Sequence, residues 1–391
     1  MVFYGLIMIS PVLPYFGVSG TLLTGALFAA LMVFSGAANL QLSKWFLFVA
    51  LIIVILACVP AAYWSDPRYV LSTVYLLFSL YLLQSSDSKT MEWFLTLATG
   101  LMLILLTGAI VGFVLALNGV QPLFDIPNAD GKPNHFFYTT LSRLKWGNVI
   151  RPAGFYDEPG AFSFMICAVA ALRHLRGRDA RTTWLLLALG LVTLSLAHLV
   201  YVILHAVAER LNLRNVARIT AILMPIVIVA GYVGGGEIIE KRLVSRATVT
   251  EAGELVGDNR SWRMVNAAVH LTNHPQAIFV GADPSCRFAP NICKKKFPQM
   301  GENPLSPLAF QGIFISWPYY LALAVLFIAP FFGRKYIVSF AFGALLLQRP
   351  YMVGIGYSLV GLLVLATTIE MIVSERHTRN RLAAINNTVP A

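Results

Sequence analysis

Charged residues are scarce in this sequence. Lysine and arginine number 29 and aspartate and glutamate 18, so that 12% of the 391 residues are charged and 58% are hydrophobic. A water-soluble globular domain has about 25% charged residues. Apolar runs long enough to cross a bilayer follow one another from Met1 to about Ile372, with short links between them. The composition predicts an all-α polytopic integral membrane protein, with residues 1–391 in one membrane domain and no separate soluble domain.

Several catalytic motifs are also absent. The sequence has no Walker A motif, no dinucleotide-binding glycine fingerprint, no HExxH and no GxSxG. Nucleotide-driven transport, redox chemistry, zinc proteolysis and a serine-hydrolase mechanism therefore lack support. The long loops lack an Asp-x-Asp pair that would hold a divalent metal against a phosphate, and we expect neither a cofactor nor a metal ion. The first run, MVFYGLIMISPVLPYF, lacks a basic n-region and a cleavage site, and is expected to remain as a span.

The net charge of +11 comes largely from basic residues in the short links and in the tail. These residues are Lys44, Lys89, Arg173, Arg176, Arg178, Arg181, Arg210, Arg214, Arg218, Arg334, Lys335, Arg376, Arg379 and Arg381. Basic residues in short links are typical of the cytoplasmic side of a membrane protein. The pattern therefore predicts cytoplasmic links and a cytoplasmic tail at 371–391, and it does not indicate a nucleic-acid surface.

With the basic links inside, the chain is predicted to cross the membrane twelve times. Five spans lie near 3–17, 20–38, 45–63, 69–84 and 94–117, and a sixth runs from about Gly160 to the link at 174–181. A hairpin within 183–208 counts as two, and the last four spans lie near 216–233, 307–331, 336–347 and 351–370. Two long loops, 118–158 and 234–306, are then on the outer side.

The apolar run from Thr183 to Ala208 leaves two topologies open. As a single tilted crossing it would place the loop 234–306 in the cytoplasm. As two short half-helices that turn back near Ser195 and His198, it would place that loop outside. The polar Ser-x-x-His sequence inside an apolar run favours the hairpin, because a hydrated turn would accommodate these side chains. The alternative is one helix with a buried, hydrogen-bonded histidine.

The first long loop ends in RPAGFYDEPG at 151–160, where charged side chains stand between prolines and glycines. Pro159 suits the first position of a helix, which would put Glu158 at the positive end of the helix dipole. Glu158 could act simply as a capping acid, with Arg151 as its ion-pair partner. The rigid backbone at the point of membrane re-entry favours a functional role instead.

The second long loop contains DNRSWRMVNAAVHLTNHP at 258–275, which predicts a helix that runs to about Leu271. Two stripes are expected on this helix. The apolar stripe consists of Trp262, Val265 and Val269, and the polar stripe of Arg263, Asn266 and His270. The polar stripe faces either a site or bulk water.

Two of the four cysteines, Cys286 and Cys293, lie in the same loop, in CRFAPNIC. Their spacing, in a segment placed in an oxidising compartment, predicts a disulfide. A cytoplasmic loop should not form this bond. No histidine stands at ligand spacing from the pair, so a zinc site is not expected here.

Three segments carry a family resemblance: RPAGFYDEPG before an apolar span, NRSWRMVNAAVHL before HPQAIFVGAD, and ENPLSPLAFQGI before a further span. With them the chain resembles the O-antigen polymerase and ligase superfamily (Wzy-like). The family pattern Arg-x-x-Gly-x-Phe-x-Glu-Pro corresponds to Arg151, Gly154, Phe155 or Tyr156, Glu158 and Pro159. Its second element, an arginine-rich helix start before a proline and a glycine, corresponds to Arg260, Trp262, Arg263, Pro275 and Gly281.

Two departures from the family pattern bear on the assignment. Family members often have Ser-Arg where this chain has Ser195 and Leu196, which leaves His198 as a substitute for that arginine. Ligases of the family typically carry His-Asn where this chain has Glu302 and Asn303. The missing histidine favours a polymerase.

The resemblance implies an integral-membrane glycosyltransferase fold of the GT-C-like type. It implies an enzyme of the bacterial inner membrane that acts, without a metal, at the periplasmic face on undecaprenyl-diphosphate-linked glycans. Because both arginine motifs must then face the periplasm, it also implies the hairpin at 183–208. The expected partners are these lipid-linked glycans, membrane lipids and a chain-length regulator, with no nucleic acid.

Each motif residue then has an expected role. Arg151 and Arg263, with Arg260 behind them, would bind the diphosphate, because a guanidinium pairs bidentately with phosphate oxygens. The base for the acceptor hydroxyl would be Glu158, then His270, then Glu302. The remaining candidates for substrate contact are Tyr156, Trp262, Asn303, Arg349 and Tyr351. The aromatic rings among them could stack on sugars or anchor at the interface, and Arg349 could contact a phosphate or set topology.

Three functions remain as hypotheses. A polymerase would transfer the growing glycan from its lipid diphosphate to a lipid-linked repeat unit. A ligase would transfer finished glycan to lipid A core or to a protein. A flippase or transporter would need ionisable residues in mid-membrane, of which the spans offer little beyond His198 and His205.

Overall fold

The fold is described by a computed structural model that covers residues 10–17, 43–85, 87–127, 133–143, 145–146, 149–209, 261–283, 300–301, 303–348, 350 and 358–388. This part of the chain is mostly helical, as the apolar runs predict. The predicted spans near 20–38 and 216–233 lie outside the described residues, as does most of the loop 234–306.

Thirteen α-helices are described in this part of the chain, and we number them in chain order. Helices α1 to α4 are Val12–Tyr15, Lys44–Trp64, Arg68–Ser85 and Ser88–Leu117. Helices α5 to α7 are Pro159–Leu175, Ala180–Gly190 and Leu196–Ala208, with a 3-10 turn at Leu191–Thr193. Helices α8 to α10 are Ser261–Asn273, Ala277–Val280 and Ser306–Gln311. Helices α11 to α13 are Ile313–Ile328, Ile337–Gln348 and Ser358–Thr388, and 3-10 turns at Ala329–Phe332 and Arg334–Tyr336 separate α11 from α12.

Three of these segments are long and apolar enough to cross a membrane: Lys44–Trp64, Ser88–Leu117 and Ile313–Phe332. A crossing takes about 20 residues of helix, and the apolar segments Pro159–Leu175, Ala180–Thr193 and Leu196–Ala208 are shorter. The described residues therefore form an α-helical membrane protein, but they do not show the twelve crossings that we predicted. The prediction counted each apolar run as a crossing, whereas several runs fold into helices too short to cross.

Helix α5 lies at the centre of the bundle. Nearly all of its residues are buried, and it packs against α4, α6, α7, α12 and α13. Small residues such as Ala161, Ala168, Ala170 and Ala171, all fully buried, let neighbouring helices approach closely. Both ends of α5 are consequently held by several other elements.

The apolar run 183–208 folds back on itself, which confirms the hairpin. The Trp184 Nε1 atom of α6 donates to the Glu209 Oε2 atom, just after α7, at 2.5 Å. The His198 Nε2 atom of α7 lies 2.7 Å from the Leu187 carbonyl oxygen of α6. His198 is fully buried, so the expectation of a hydrated turn around it was wrong. A backbone carbonyl of the other arm contacts its ring.

The first long loop contains β-strands, which the all-α prediction did not include. Strands β1 (Phe124–Ile126), β2 (Asn134–Phe137) and β3 (Thr140–Ser142) form an antiparallel sheet in that order. In this sheet Phe136 pairs with Phe124 on one side and with Leu141 on the other. Strands β4 (Lys145–Trp146) and β5 (Val149–Ile150) form a separate antiparallel ribbon.

The turn between β2 and β3 rests on two glycines of α4. Tyr138 has a positive φ of 57° in this turn. The Thr139 hydroxyl donates to the Gly108 carbonyl oxygen at 2.7 Å. A Cβ atom at Gly112 would lie 2.4 Å from the Thr140 Cγ2 atom. Gly108 and Gly112, four residues apart on one face, therefore form the surface on which the sheet is seated.

The charged links meet at one end of the bundle, as predicted for links on the same side of a membrane. Arg173 is buried there, and its guanidinium donates to the Asp179 carboxylate at 2.5 Å and to the hydroxyls of Thr99 and Thr183. Further ion pairs at this end join Arg176 to Glu370, Arg178 to Glu92 and Lys335 to Glu375. These contacts tie the starts of α4 and α6 to the end of α5, and they tie α13 to the end of α5 and to the turn before α12.

Candidate functional site

The segment 151–154 is fixed against strand β3. The Leu141 N–H donates to the Gly154 carbonyl oxygen at 2.7 Å, and the Ala153 N–H donates to the Leu141 carbonyl oxygen at 2.8 Å. Gly154 has a φ of 59°, and a Cβ atom there would lie 3.4 Å from the Phe162 ring. A side chain at this position would require a strained backbone. The rigidity that prolines and glycines predicted for this segment is therefore reinforced by pairing with β3.

Arg151 connects the first loop to the turn of the hairpin. Its backbone N–H donates to the Ser142 hydroxyl at 3.1 Å, and its Nε–H donates to the Thr193 carbonyl oxygen at 3.3 Å. Thr193 lies in the 3-10 turn between α6 and α7, where the Thr193 hydroxyl itself donates to the Gly190 carbonyl oxygen. Arg151 is thus half-buried, with its backbone held by β3 and its side chain by the hairpin turn, two elements that are distant in sequence.

Glu158 stands at the N-terminal end of α5, and the prediction that Pro159 begins this helix is confirmed. The Glu158 carbonyl oxygen accepts from the Ala161 N–H at 3.1 Å, while the Glu158 side chain makes no capping hydrogen bond. The structure therefore does not support the alternative in which the Glu158 side chain caps the helix. Glu158 stands at the positive end of the helix dipole.

Tyr156 lies behind this segment and not on its surface. Its side chain is fully buried, and its ring stacks on Phe162 with 5.6 Å between ring centroids. Stacking of Tyr156 on a sugar, which the sequence suggested, would need the ring to leave this position.

Helix α8 confirms the predicted helix in the second loop, and its polar stripe faces inward. The apolar residues Trp262, Val265 and Val269 are 44%, 57% and 49% exposed. On the opposite side Arg263 and Asn266 are half-buried and His270 is buried. A helix in water buries its apolar stripe and exposes its polar one. Helix α8 instead exposes this apolar stripe, and its inner side buries His270 together with Ala267 and Leu271, which pack against Ala277, Met300 and Ala309.

His270 is the most deeply placed member of this polar stripe. Burial lowers the pKa of His270, and the neighbouring His274, whose ring centroid is 4.9 Å away, lowers it further. Both effects disfavour the imidazolium. A neutral imidazole is the form that a general base requires.

Two glycines allow the segment after α8 to cross the start of α11 in close contact. Gly281 and Gly312 have φ values of 78° and 69°, and a Cβ atom at Gly312 would lie 2.1 Å from the Phe279 carbonyl oxygen. The Ala282 N–H donates to the Ala309 carbonyl oxygen at 2.9 Å. Gly281, one of the motif positions, is therefore needed for this backbone crossing.

The same segment is anchored to the end of α2 and the start of α3. The Trp64 Nε1–H donates to the Val280 carbonyl oxygen at 3.3 Å, and the Tyr69 hydroxyl donates to the Ala282 carbonyl oxygen at 3.0 Å. The second loop is therefore attached to the membrane-spanning bundle at a defined place.

Asn303 is buried in the turn before α10. Its Nδ2 donates to the Met300 carbonyl oxygen, its Oδ1 accepts from the Leu305 N–H, and its backbone N–H donates to the Ser306 hydroxyl. The side chain amide is thus engaged in shaping this turn. A contact between Asn303 and substrate stays a prediction.

The structure places the predicted residues in two groups. Arg151, Glu158 and the hairpin turn form the first group, at the N-terminal end of α5. Arg263 and His270 belong to the second, on α8. None of the contacts described above joins a residue of the first group to a residue of the second. Arg260, Glu302, Arg349, Tyr351 and the pair Cys286 and Cys293 lie outside the described residues, and their roles stay predictions.

Sequence reasoning did not single out Thr193 and Ser142, the two residues that hold Arg151. A turn between two half-helices was predicted near Ser195, and the last carbonyl groups of a helix need donors from elsewhere. That signal could have suggested a partner for Arg151 in the turn, but not which carbonyl.

The sequence matches no protein-family model and no curated protein.

Proposed function

We propose that this chain is a metal-independent polymerase of lipid-linked glycans. It transfers a growing glycan from undecaprenyl diphosphate to the lipid-linked repeat unit at the periplasmic face of the bacterial inner membrane. The proposal includes the finer topology, in which the basic links are cytoplasmic. It rests on the motif resemblance together with the geometry around Arg151.

The observation that carries the proposal is the placement of Arg151 at the N-terminal end of α5. Its guanidinium is oriented by the Thr193 carbonyl at the hairpin turn. The adjoining helix begins at Pro159, so the guanidinium and the positive end of the helix dipole favour an anion in the same region. The links rich in basic residues meet at the other end of α5, around Arg173 and Arg176. A diphosphate on a lipid is an anion of the required kind.

The reaction needs an acceptor, a base and a stabilised leaving group. The acceptor hydroxyl attacks the anomeric carbon, a new C–O bond forms, and the bond to the diphosphate oxygen breaks. Negative charge grows on that oxygen, and an arginine held in place stabilises it more in the transition state than in the ground state. The hydroxyl proton passes to a base, for which Glu158 and the neutral His270 are candidates.

The test is the surface-glycan pattern of the native host with this gene deleted and then restored. We expect the deletion to reduce a ladder of long chains to one repeat unit on its anchor, and the wild-type gene to restore the ladder. Loss of all bands, including the single repeat, would indicate a ligase or a flippase and would contradict the proposal.

Arg151→Lys tests the role of the arginine itself. Lysine keeps the charge but loses the planar fork and the Nε–H that donates to Thr193. Loss of one charge-assisted hydrogen bond, worth about 1.5–3 kcal/mol, corresponds to roughly a ten- to hundredfold loss of polymerisation rate. Arg181→Lys, an exposed arginine at the other end of the bundle, is the control, and equal amounts of each variant in the membrane are checked by immunoblot. A wild-type ladder in Arg151→Lys would exclude the bidentate contact.

A further inference from the structure

The base of the hairpin holds a cluster of two histidines and one glutamate. His174 is in the last turn of α5, His205 is in the last turn of α7, and Glu209 follows α7 directly. One ligand atom from each residue lies within 4.8 Å of the other two. His205 and Glu209 are four residues apart, which places them on one helix face, and the backbone brings His174 to the same point.

The two contacts of Glu209 with the histidines have the length of contacts between metal ligands and are longer than charge-assisted hydrogen bonds. The Glu209 Oε1 atom is 3.4 Å from His174 Nδ1 and 3.4 Å from His205 Nε2. A charge-assisted N–H···O hydrogen bond is about 2.7–2.9 Å long. In a tetrahedral site with metal–ligand bonds of about 2.0–2.2 Å, neighbouring ligand atoms are about 3.3–3.6 Å apart. Both measured contacts have that length.

The burial of His205 points to a ligand. The side chain has no exposed surface. Within the described part of the chain neither ring nitrogen has a partner at hydrogen-bond geometry, and Nε2 has the 3.4 Å ion-pair contact with Glu209. A buried polar group without such a partner is costly. A metal bound to the Nε2 atom would supply the missing interaction at that nitrogen.

The surroundings of Glu209 resemble the outer shell of a metal site. The Trp184 Nε1–H donates to the Glu209 Oε2 atom at 2.5 Å, which leaves Oε1 directed at the two imidazoles. Groups that hydrogen-bond to a metal ligand fix its orientation. The rings of Trp184 and Tyr201 also lie against the His205 ring, with centroids 5.3 Å and 5.9 Å away.

We propose that His174, His205 and Glu209 bind a divalent transition-metal ion. Two imidazoles and one carboxylate are a ligand set that Zn²⁺ accepts, with the fourth position of a tetrahedron open to water or another small ligand. Such an ion joins the end of α5 to the end of α7 and closes the base of the hairpin. It lies roughly 24 Å along α5 from Glu158, at 1.5 Å per helical residue. The ion therefore stabilises the bundle and takes no part in the proposed transfer reaction.

The test measures metal bound to the full-length protein, purified in detergent with a tag that contains no histidine. After loading with Zn²⁺ and removal of free metal, we expect about one zinc per chain by mass spectrometry. His205→Ala and Glu209→Gln should each retain less than a tenth of that amount. His135→Ala, which removes a histidine paired with Asp125 in the first loop, should bind as much zinc as the wild type.

A second measurement does not depend on the folding of variants. Co²⁺ added to the metal-free wild-type protein should give the visible absorption of a four- or five-coordinate ion, and one equivalent of Zn²⁺ should abolish it. Removal of the metal should lower the melting temperature, because the ion binds the folded state. Less than stoichiometric zinc in the wild-type protein would overturn the proposal. Zinc bound to His205→Ala as fully as to the wild type would also overturn it and would indicate an adventitious ion only.

Discussion

The first loop packs closely against Gly112 of helix α4. This contact predicts a large effect of one methyl group added at Gly112. In Gly112→Ala the new Cβ atom would lie 2.4 Å from the Thr140 Cγ2 atom and 3.0 Å from the Phe137 carbonyl oxygen. Thr140 cannot simply rotate away, because its side chain is fully buried and its hydroxyl accepts from the Gly154 N–H at 3.0 Å. The sheet must therefore move away from the helix, and the segment that carries Arg151 must move with it.

The magnitude follows from two opposing terms. Replacing glycine by alanine inside a helix stabilises it by roughly 0.5–1 kcal/mol. Overpacking of a well-packed contact costs about 1–3 kcal/mol. Gly100 provides the matched control on the same helix, because nothing lies within 4 Å of a Cβ atom there. Since the helical gain is common to both variants, Gly112→Ala should be about 1–3 kcal/mol less stable than Gly100→Ala.

The assay is denaturant or thermal unfolding of the purified variants in one detergent. Thr140→Ser removes the clashing methyl group but keeps the hydroxyl that holds Gly154. In a double-mutant cycle, Thr140→Ser should therefore recover part of the loss in Gly112→Ala, with a coupling energy of about 0.5 kcal/mol or more. Equal stability of the Gly112→Ala and Gly100→Ala variants would refute the contact between the sheet and α4.

Two further predictions concern the links and the second loop. Hydrogen bonds from the hydroxyl and the backbone N–H of Thr182, together with Arg173, lower the pKa of Asp179 from 3.8 to about 2. A lowered pKa stabilises the fold above the unfolded-state pKa, so this contribution should disappear as the pH falls from about 4 to about 2, and melting curves of Asp179→Asn should lack it. Cys286 and Cys293 should resist a membrane-impermeant thiol reagent until reduced, whereas labelling only from the cytoplasmic side would contradict both the disulfide and the topology.

Features set by a few neighbouring residues were predictable from the sequence. Pro159 after Glu158 indicated where α5 begins, because proline is suited to the first turn. The polar residues near Ser195 indicated the break between α6 and α7. The helix α8 followed from its period and its flanking residues. In each case the local preference and the fold agree.

Features that depend on the surroundings were not predictable in the same way. The periodicity of α8 revealed two faces, but not that Trp262 and Val265 point outward, because a pattern alone does not show which face packs against the rest of the fold. His198 suggested a hydrated turn, whereas the Leu187 carbonyl oxygen contacts it inside the bundle. The described residues do not show the twelve predicted crossings for a related reason. The length of an apolar run does not determine where its helix ends.

The surroundings of Arg151 show why a motif can name a residue without describing its site. The motif contains Arg151 and Glu158, but Ser142 of β3 holds the Arg151 backbone N–H and Thr193 of the hairpin turn holds its guanidinium. Strand β3 is in turn positioned by Gly108 and Gly112 of α4. A displacement of any of these elements should change the direction of the guanidinium while leaving the motif intact. Loss of polymerisation in Gly112→Ala, with Arg151 unchanged and the protein still folded, is therefore the result we expect if this placement matters for function.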